Sequence, residues 1–440
     1  MLIFGAAPPA QAQFFAECDS GSRAELERNI RAHGEHMLRL QKKLVTGWYW
    51  QGPLPAGFRP IDLDGVRASL SRMSPRKAAV LFHAYSERGR KLCVWLISAG
   101  AAPVSAVVPV ADIGALRPQL LNAAGVARRS LPVRKADMSK AQFEAQLAAL
   151  DAELSALERP PAPAEALASA ANALLPEKII GAMLQEAIDT LIVMPVFDLG
   201  VVPYAALPID GDRMLIDVAS VLVAPGFFAL GESPRAAKKS FAGALVVGNP
   251  YREDADWHLA PLPGAEAEAR EIAAMFGTQP LIGASATRKA VLARLRRQPP
   301  PPLVYFASHG IADDANPLDG GFLALSDGRW TGRNIVRQVP RTIGRPLVVL
   351  SACQTGLGKN FDVGTIGLAR AWQEAGASNV VMSLWPVGDR DTMRLMTLFM
   401  RHVRSLPPDK ALREAMLERR QADPRIAAWA SFAVFGAPER

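Results

Sequence analysis

The sequence predicts an α/β chain built on a mostly parallel sheet with helices on both faces, and three observations carry that prediction. Apolar runs of strand length alternate with helical stretches through the second half of the chain, the pattern left by parallel strands joined through helical crossovers. Half of the 440 residues are apolar, enough for two or three filled cores. The 34 Gly and 35 Pro are close to ordinary usage, which excludes a collagen-like or wholly disordered chain. No apolar run approaches the roughly 18 residues a membrane span requires, so no transmembrane segment is predicted.

The elements follow in order. Residues 1–13 are apolar and end on a small-x-small step at Ala10-Gln11-Ala12, but lack a basic start. They read either as the stub of an export signal, giving an exported or periplasmic protein, or as a frayed terminus of a cytoplasmic one. Over 23–45, Leu26, Ile30, Met37, Leu40 and Leu44 recur at helical spacing among charges, which predicts an amphipathic arm for docking or packing. Trp48, Tyr49 and Trp50 follow, as core or interface aromatics. Strands at 78–85, 91–98 and 104–110 form a meander. Helices are expected at 111–124, 140–157 and 164–174, the last after the Pro160-Pro161-Ala162-Pro163 break. The strand at 190–194 leads through a turn into 202–207.

Beyond residue 236 the predicted order is strand 242–247, helix 265–276, short strand 280–282, helix 287–296, and strands 303–307, 322–325 and 346–350. Helix 365–375, strand 379–384 and helices 389–404 and 410–420 complete it. Three units result: an N-terminal segment 1–76, a first α/β half 77–235 and a second half 236–440.

Composition narrows the function. Lys and Arg exceed Asp and Glu by 50 to 42, but the basic residues are scattered, so no nucleic-acid footprint is predicted. Three cysteines, Cys18, Cys93 and Cys353, are too few and too dispersed for a disulfide framework or a four-ligand zinc site, and at least one stays unpaired within the chain. Pairing of Cys18 with Cys93 is expected if the protein is exported. His33 and His36 sit three apart without a third ligand, and together with His83, His258 and His402 read as ordinary core or surface residues. Glycine-rich nucleotide signatures are absent.

In such sheets chemistry collects at the carboxyl ends of strands. The 303–307 strand runs into Ser308-His309-Gly310, and the 346–350 strand into Ser351-Ala352-Cys353-Gln354-Thr355-Gly356. If the two strands are parallel neighbours, His309 and Cys353 leave the same edge, where imidazole can take the thiol proton or hold the thiolate. Cys353 lies 44 residues after His309, near the roughly 50 that separate these groups in caspases. Gly310, Gly356 and Gly358 let backbone approach a substrate, and the amides of Gly310 and Cys353 are candidate oxyanion donors.

The motifs Ala307-Ser308-His309-Gly310, Leu350-Ser351-Ala352-Cys353-Gln354-Thr355-Gly356-Leu357-Gly358, Gly367-Leu368-Ala369-Arg370-Ala371-Trp372, Ala375-Gly376-Ala377 and Ser383-Leu384-Trp385-Pro386-Val387 resemble the CHAT family of caspase-like cysteine peptidases, in the clan of caspases, separase and gingipains. Pro195 to Leu207, Gly248-Asn249-Pro250, Leu262-Pro263-Gly264-Ala265-Glu266 and Trp429-Ala430-Ser431-Phe432 with Gly436 resemble it too, so the likeness runs over about 77–436. It implies a caspase-like three-layer sandwich with an inactive first half supporting an active second half. It also implies His309 as base, Cys353 as nucleophile, and no metal or organic cofactor. Family members are commonly joined to TPR repeats or sensor domains. Here only about 76 residues precede the core, so a trigger is expected from the arm or from an activating protein partner engaging it.

Trp385, Asp389 and Asp362 lie where a caspase-like groove would be lined, and an acidic pocket would favour a basic residue before the cut. Asp389 reads equally well as a cap of the helix that starts there. The leading expectation is an endopeptidase acting on a protein substrate through an acyl-enzyme. The rival is a catalytically silent scaffold docking through residues 20–50.

Overall fold

The computed structural model describes residues 16–46, 60–124, 142, 145, 164–231, 240–251, 262–311, 318–340, 343–351, 359–360, 365–385 and 387–439. Strands β1 (Ala78–Ser86), β2 (Lys91–Ser98) and β3 (Val104–Pro109) form the expected antiparallel meander. β4 (Thr190–Met194) pairs parallel with β1; after the small hairpin β5 (Pro208–Asp210) and β6 (Arg213–Met214), β7 (Ser220–Val223) pairs parallel with β4. In the second half, β8 (Leu245–Gly248), β9 (Leu281–Ile282) and β10 (Leu303–Ala307) are followed by a three-stranded antiparallel sheet. That small sheet comprises β11 (Gly310–Ile311), β12 (Phe322–Leu325) and β13 (Gly328–Thr331). β14 (Leu347–Ser351), the short pair β15 (Lys359–Asn360) and β16 (Thr365–Ile366), β17 (Asn379–Ser383) and β18 (Phe432–Gly436) complete the strands.

Eleven of these strands make one sheet in the order β3-β2-β1-β4-β7-β18-β17-β14-β10-β8-β9. β18 pairs parallel with β7 and antiparallel with β17, and so joins the two halves of the sheet. As a result β1, β4, β7 and β18 point one way and β8, β10, β14 and β17 the other. The sheet therefore has two carboxyl edges, on opposite sides of the molecule.

The central strands are buried on both faces, which is why they read as continuous apolar runs. Helices Pro263–Met275, Leu368–Glu374, Asp389–His402 and Pro408–Ala422 lie near their predicted positions. The stretch expected as one helix at 111–124 is a 3-10 turn, Ile113–Ala115, running into helix Leu116–Ala123. The helix expected over 140–157 lies outside the described residues except Gln142 and Ala145, both helical. Among the described residues no helix is long and apolar enough to cross a membrane.

Two glycines of the family-like motifs have steric explanations. A Cβ at Gly248 would stand 2.3 Å from the Ala269 Cβ, so β8 and helix Pro263–Met275 approach only because that side chain is missing. At Gly436, with φ at +152°, a Cβ would stand 2.3 Å from the Asn379 Oδ1 and 2.7 Å from the Ser378 carbonyl oxygen. Any larger residue there would push β18 out of register with β17.

The N-terminal arm is a packed element. Helix Arg23–Thr46 buries Leu26, Ile30 and Met37 in the main core, so these three residues of the stripe are already occupied by the protein itself, while the side chains of Leu40 and Leu44, and residues 48–50, lie outside the described residues. Burial pushes the Glu25 carboxyl up, but hydrogen bonds from the amides of Ser20, Gly21 and Asp19 and from the Ser20 hydroxyl outweigh it and hold the group below its ordinary range. The Trp95 Nε1–H donates to the Gly21 carbonyl at 3.1 Å. Cys18 and Cys93 form a disulfide, fastening the arm to β2. Closing a loop across 75 residues is worth about 4 kcal/mol in the chain-entropy account. Reduction, or Cys18→Ser with Cys93→Ser, should therefore lower the melting temperature markedly, and an unchanged melting temperature would show that the bond carries no stability.

Candidate active site

The condition for bringing His309 and Cys353 together is met in the strand order. β10 and β14 are parallel neighbours, with Ala307 opposite Ser351, and the Ser308 amide donates to the Ser351 carbonyl at 3.3 Å. Both chains leave the sheet at one level of one carboxyl edge. His309 is two residues past Ala307, with 8% of its surface exposed, held at the start of β11. Cys353, two residues past Ser351, lies outside the described residues, as do Gly356, Gly358 and Asp362.

Backbone pairing fixes what His309 and Gly310 can offer. The His309 carbonyl accepts from the Ala324 amide at 2.9 Å, while Gly310 is the residue opposite Leu323. In an antiparallel ladder this makes Gly310 a non-hydrogen-bonded position, so the β11–β12 pair does not use its amide. That N–H is thus left by the ladder for another acceptor, as an oxyanion donor requires.

An aromatic platform stiffens the floor beneath this edge. Phe306 lies 6.1 Å from Trp330 and 5.9 Å from Trp372, and the two tryptophans meet edge to face at 5.5 Å between centroids. Trp372 belongs to helix Leu368–Glu374 and Trp330 to β13, so the platform locks the elements on either side of His309 onto β10.

Sequence reasoning missed one polar pair in this floor. The Tyr305 hydroxyl donates to the Glu268 Oε1 at 2.6 Å, with both residues fully buried. Burial, reinforced by the Glu268 carboxyl, raises the phenol far above its ordinary value. The signal was legible as a tyrosine inside the apolar run Leu303-Val304-Tyr305-Phe306-Ala307, since a buried hydroxyl demands a partner.

Asn249, in the left-handed region at φ +40°, ties the neighbouring β8 loop into the same edge. Its amide N–H donates to the Ala307 carbonyl, its Oδ1 accepts from the Leu262 amide, and its Nδ2 donates to Glu266. The Gly-Asn-Pro and Leu-Pro-Gly-Ala-Glu motifs are therefore two sides of one hinge between β8 and helix Pro263–Met275.

The expected groove residues are placed unevenly. Trp385 stands just past the carboxyl end of β17, on the same edge, but only 3% of it is exposed. Asp389 is the first residue of helix Asp389–His402, whose N-cap is Gly388. Of the other histidines, His402 meets Glu418 at 2.6 Å, and His33, His36 and His83 are buried; His258 lies outside the described residues.

With Cys18 bonded to Cys93, Cys353 is the one remaining cysteine of three. Limiting iodoacetamide at neutral pH, without reductant, should label Cys353 quickly and no other site. Slow labelling, at the rate of a model thiol of ordinary pKa, would count against an activated nucleophile.

Residues 161–437 match the CHAT domain. Among curated proteins, human Tetratricopeptide repeat protein 28 is 28% identical over 247 residues, covering 47% of this chain and 10% of its own length. The mouse protein of the same name is 25% identical over 288 residues, covering 53% and 12%. The chain thus spans about a tenth of the length of the curated relatives it matches. Among solved structures, the Saccharomyces cerevisiae separase–securin complex superimposes with a TM-score of 0.56 at 11% identity, over 96% of this chain and 35% of the other. That likeness establishes the caspase-like fold.

Proposed function

The chain belongs to the CHAT domain family, and from that premise we propose that it is a cysteine endopeptidase cutting a protein substrate through a His309–Cys353 dyad. The observation that carries this reading is the parallel pairing of β10 with β14, which sends the two chain segments off one sheet edge. His309 takes the Cys353 proton, or holds the thiolate beside imidazolium, and the sulfur attacks the scissile carbonyl. The amides of Gly310 and Cys353 receive the oxyanion. Imidazolium then protonates the leaving amine, and water, deprotonated by His309, hydrolyses the acyl-enzyme.

Carboxylates at Asp389 and Asp362 would favour a basic residue before the cut. Regulation is assigned to a protein partner: the similar separase is seen bound to securin, and uncontrolled proteolysis is hazardous. A partner's contact with the N-terminal arm would use a face other than the one carrying Leu26, Ile30 and Met37, which are buried. The Cys18–Cys93 bond supports an oxidising compartment, where disulfides persist.

An electrophilic peptide should acylate Cys353, and a proteomic comparison of wild type with Cys353→Ala should reveal cleavage sites found only with wild type. A silent scaffold would show neither, at any concentration of partner. Vigorous cleavage of many unrelated proteins by the isolated chain would remove the argument for a trigger.

A further inference from the structure

The net positive charge of this chain is concentrated in one stretch. Residues 288–345 carry ten Lys and Arg against four Asp, while everywhere else the two signs stand at 40 to 38. Between Glu271 and Asp313 no acidic residue occurs. Along the sequence these cations are spread out, but the fold gathers them. Helix Arg288–Leu295 carries the chain from β9 to β10, and helix Gly332–Gln338 carries it from β13 to β14. Both crossings run the same way along the strand order, so right-handed connections put both helices on one face of the sheet. Contacts join them at both ends. The Arg288 Nη2 donates to the Arg329 carbonyl at 2.8 Å, just ahead of the second helix. Beyond the helices, a Cβ on Gly344 would stand 2.8 Å from the Pro300 Cγ, so the two departing chains meet.

Lys289, Arg296, Arg297, Arg329 and Arg337 are exposed on these elements and their ends, and among the described residues none of the five is in an ion pair. The nearby carboxylates are committed: Asp319 accepts from Arg333 at 2.7 Å and Asp327 from the Arg288 amide at 2.8 Å. The Arg329 guanidinium is held over the Phe322 ring at 4.8 Å, which orients it in advance of any ligand. Helix stability does not explain the arrangement. Arg296 and Arg297 at the carboxyl end suit the helix dipole, but Arg288 and Lys289 open the same helix, where cations oppose it. Burial, with Arg297 nearby, holds Arg294 below its ordinary value, so like charges stand close enough to repel.

We propose that the face formed by helices Arg288–Leu295 and Gly332–Gln338 with β13 is a docking surface for an acidic segment of a partner polypeptide, whose carboxylates pair with Lys289, Arg296, Arg297, Arg329 and Arg337. Guanidinium matches carboxylate through two parallel hydrogen bonds, and four of the five cations are Arg. A nucleic acid fits less well. Phe322 and Trp330 are buried, so among the described residues of these elements no ring is open for bases to stack on. Asp319 and Asp327 are exposed within the strip and would oppose the unbroken charge of a duplex, whereas a polypeptide can place uncharged residues opposite them. The surface is independent of the peptidase reading, since it uses neither His309 nor Cys353.

The probe is a fluorescein-labelled peptide of alternating Glu and Gly, titrated into the full chain at low salt and followed by anisotropy. The expected result is saturable binding that weakens as salt rises and is absent for the same peptide with Gln in place of Glu. Lys289→Glu, Arg297→Glu and Arg337→Glu together should weaken it by about tenfold or more. The same three positions changed to Gln should weaken it by less, and keep the test open if the Glu set does not fold by circular dichroism. Arg31→Glu, Arg88→Glu and Lys178→Glu, at exposed cations elsewhere on the chain, lower the net charge equally and should leave most of the affinity in place. Short duplex DNA, added as competitor at matched charge, should displace the peptide poorly. An equal loss in the two Glu sets, binding that survives substitution of the strip, or displacement by DNA as effective as by unlabelled peptide overturns the proposal.

Discussion

Cys353→Ala, His309→Ala and the double variant are expected to lose nearly the same activity, each on the order of 10³-fold or more in kcat/KM. A thiol without its base and a base without its thiol are each close to useless against an amide, so the losses should not add. Cys353→Ser should be nearly as inactive, because the hydroxyl is far less acidic than the thiol the site is built around. The measurement is kcat/KM on an identified cleavage site. Circular dichroism should confirm that each variant is folded, with the contacts among Phe306, Trp330 and Trp372 holding β10 to β13 and helix Leu368–Glu374. If His309→Ala keeps more than about a tenth of wild-type activity, a loss under about 1.4 kcal/mol in the barrier, His309 is not the base.

The reason this pair could be named from sequence is that its elements announce themselves locally. β10 and β14 are apolar runs buried on both faces, each followed by polar residues and glycine in motifs that resemble the CHAT family; that they are parallel neighbours stood in the sequence only as a condition, which the strand order meets. β18 was not legible: Phe432-Ala433-Val434-Phe435-Gly436 is short, and its place at the centre of the sheet depends on partners about 50 residues away on one side and more than 200 on the other. β7, four residues long, escaped for the same reason. Helices Leu63–Ser71 and Glu177–Gln185 were also missed. Each is nine residues, too short for periodicity to separate a helix from a loop, although Asp62 capping Gly65 was a usable signal.

The strand expected at 322–325 exists but belongs to the small antiparallel sheet. Its partners are set by the hairpin with β13 and by the chain leaving His309, neither of which periodicity reveals. The Glu268–Tyr305 pair was hidden because it joins a helix to a strand 37 residues on, across the layer interface. The disulfide was legible only as a conditional pairing, because two cysteines 75 apart carry no spacing signal.

Unfolding free energy is expected to fall steeply as pH drops from 6.5 toward 4, and the cause lies in three buried histidines. Burial, with His36 nearby, lowers His33 to about 3; burial, with Arg39 nearby, lowers His36 to about 4; and burial lowers His83 to about 4, against the Leu174 carbonyl, which favours the protonated ring. His33 is wedged edge-on between Phe82 and Phe227, at 5.7 and 5.2 Å, and His83 holds Leu174 at 3.0 Å. Each is neutral in the fold and takes up a proton near pH 6.5 once unfolded. The unfolded chain therefore binds more protons throughout the window, and linkage makes stability fall with falling pH. Near pH 5 the difference is between two and three protons, a slope of about 4 kcal/mol per pH unit. From pH 7 to pH 5 the loss is on the order of 5 kcal/mol, comparable with the whole stability of many domains. The carboxyls held low, such as Glu25 and Asp423, lose their share only at lower pH. Urea unfolding at pH 7, 6 and 5, without reductant so that the disulfide stays closed, measures the slope. His33→Phe keeps the ring contacts with Phe82 and Phe227 while removing one titrating group, and should reduce the slope by about a third. Equal stability at pH 7 and pH 5, or an undiminished slope in His33→Phe, would mean that these histidines are hydrated in solution and that the arm helix is not packed against β1 as described.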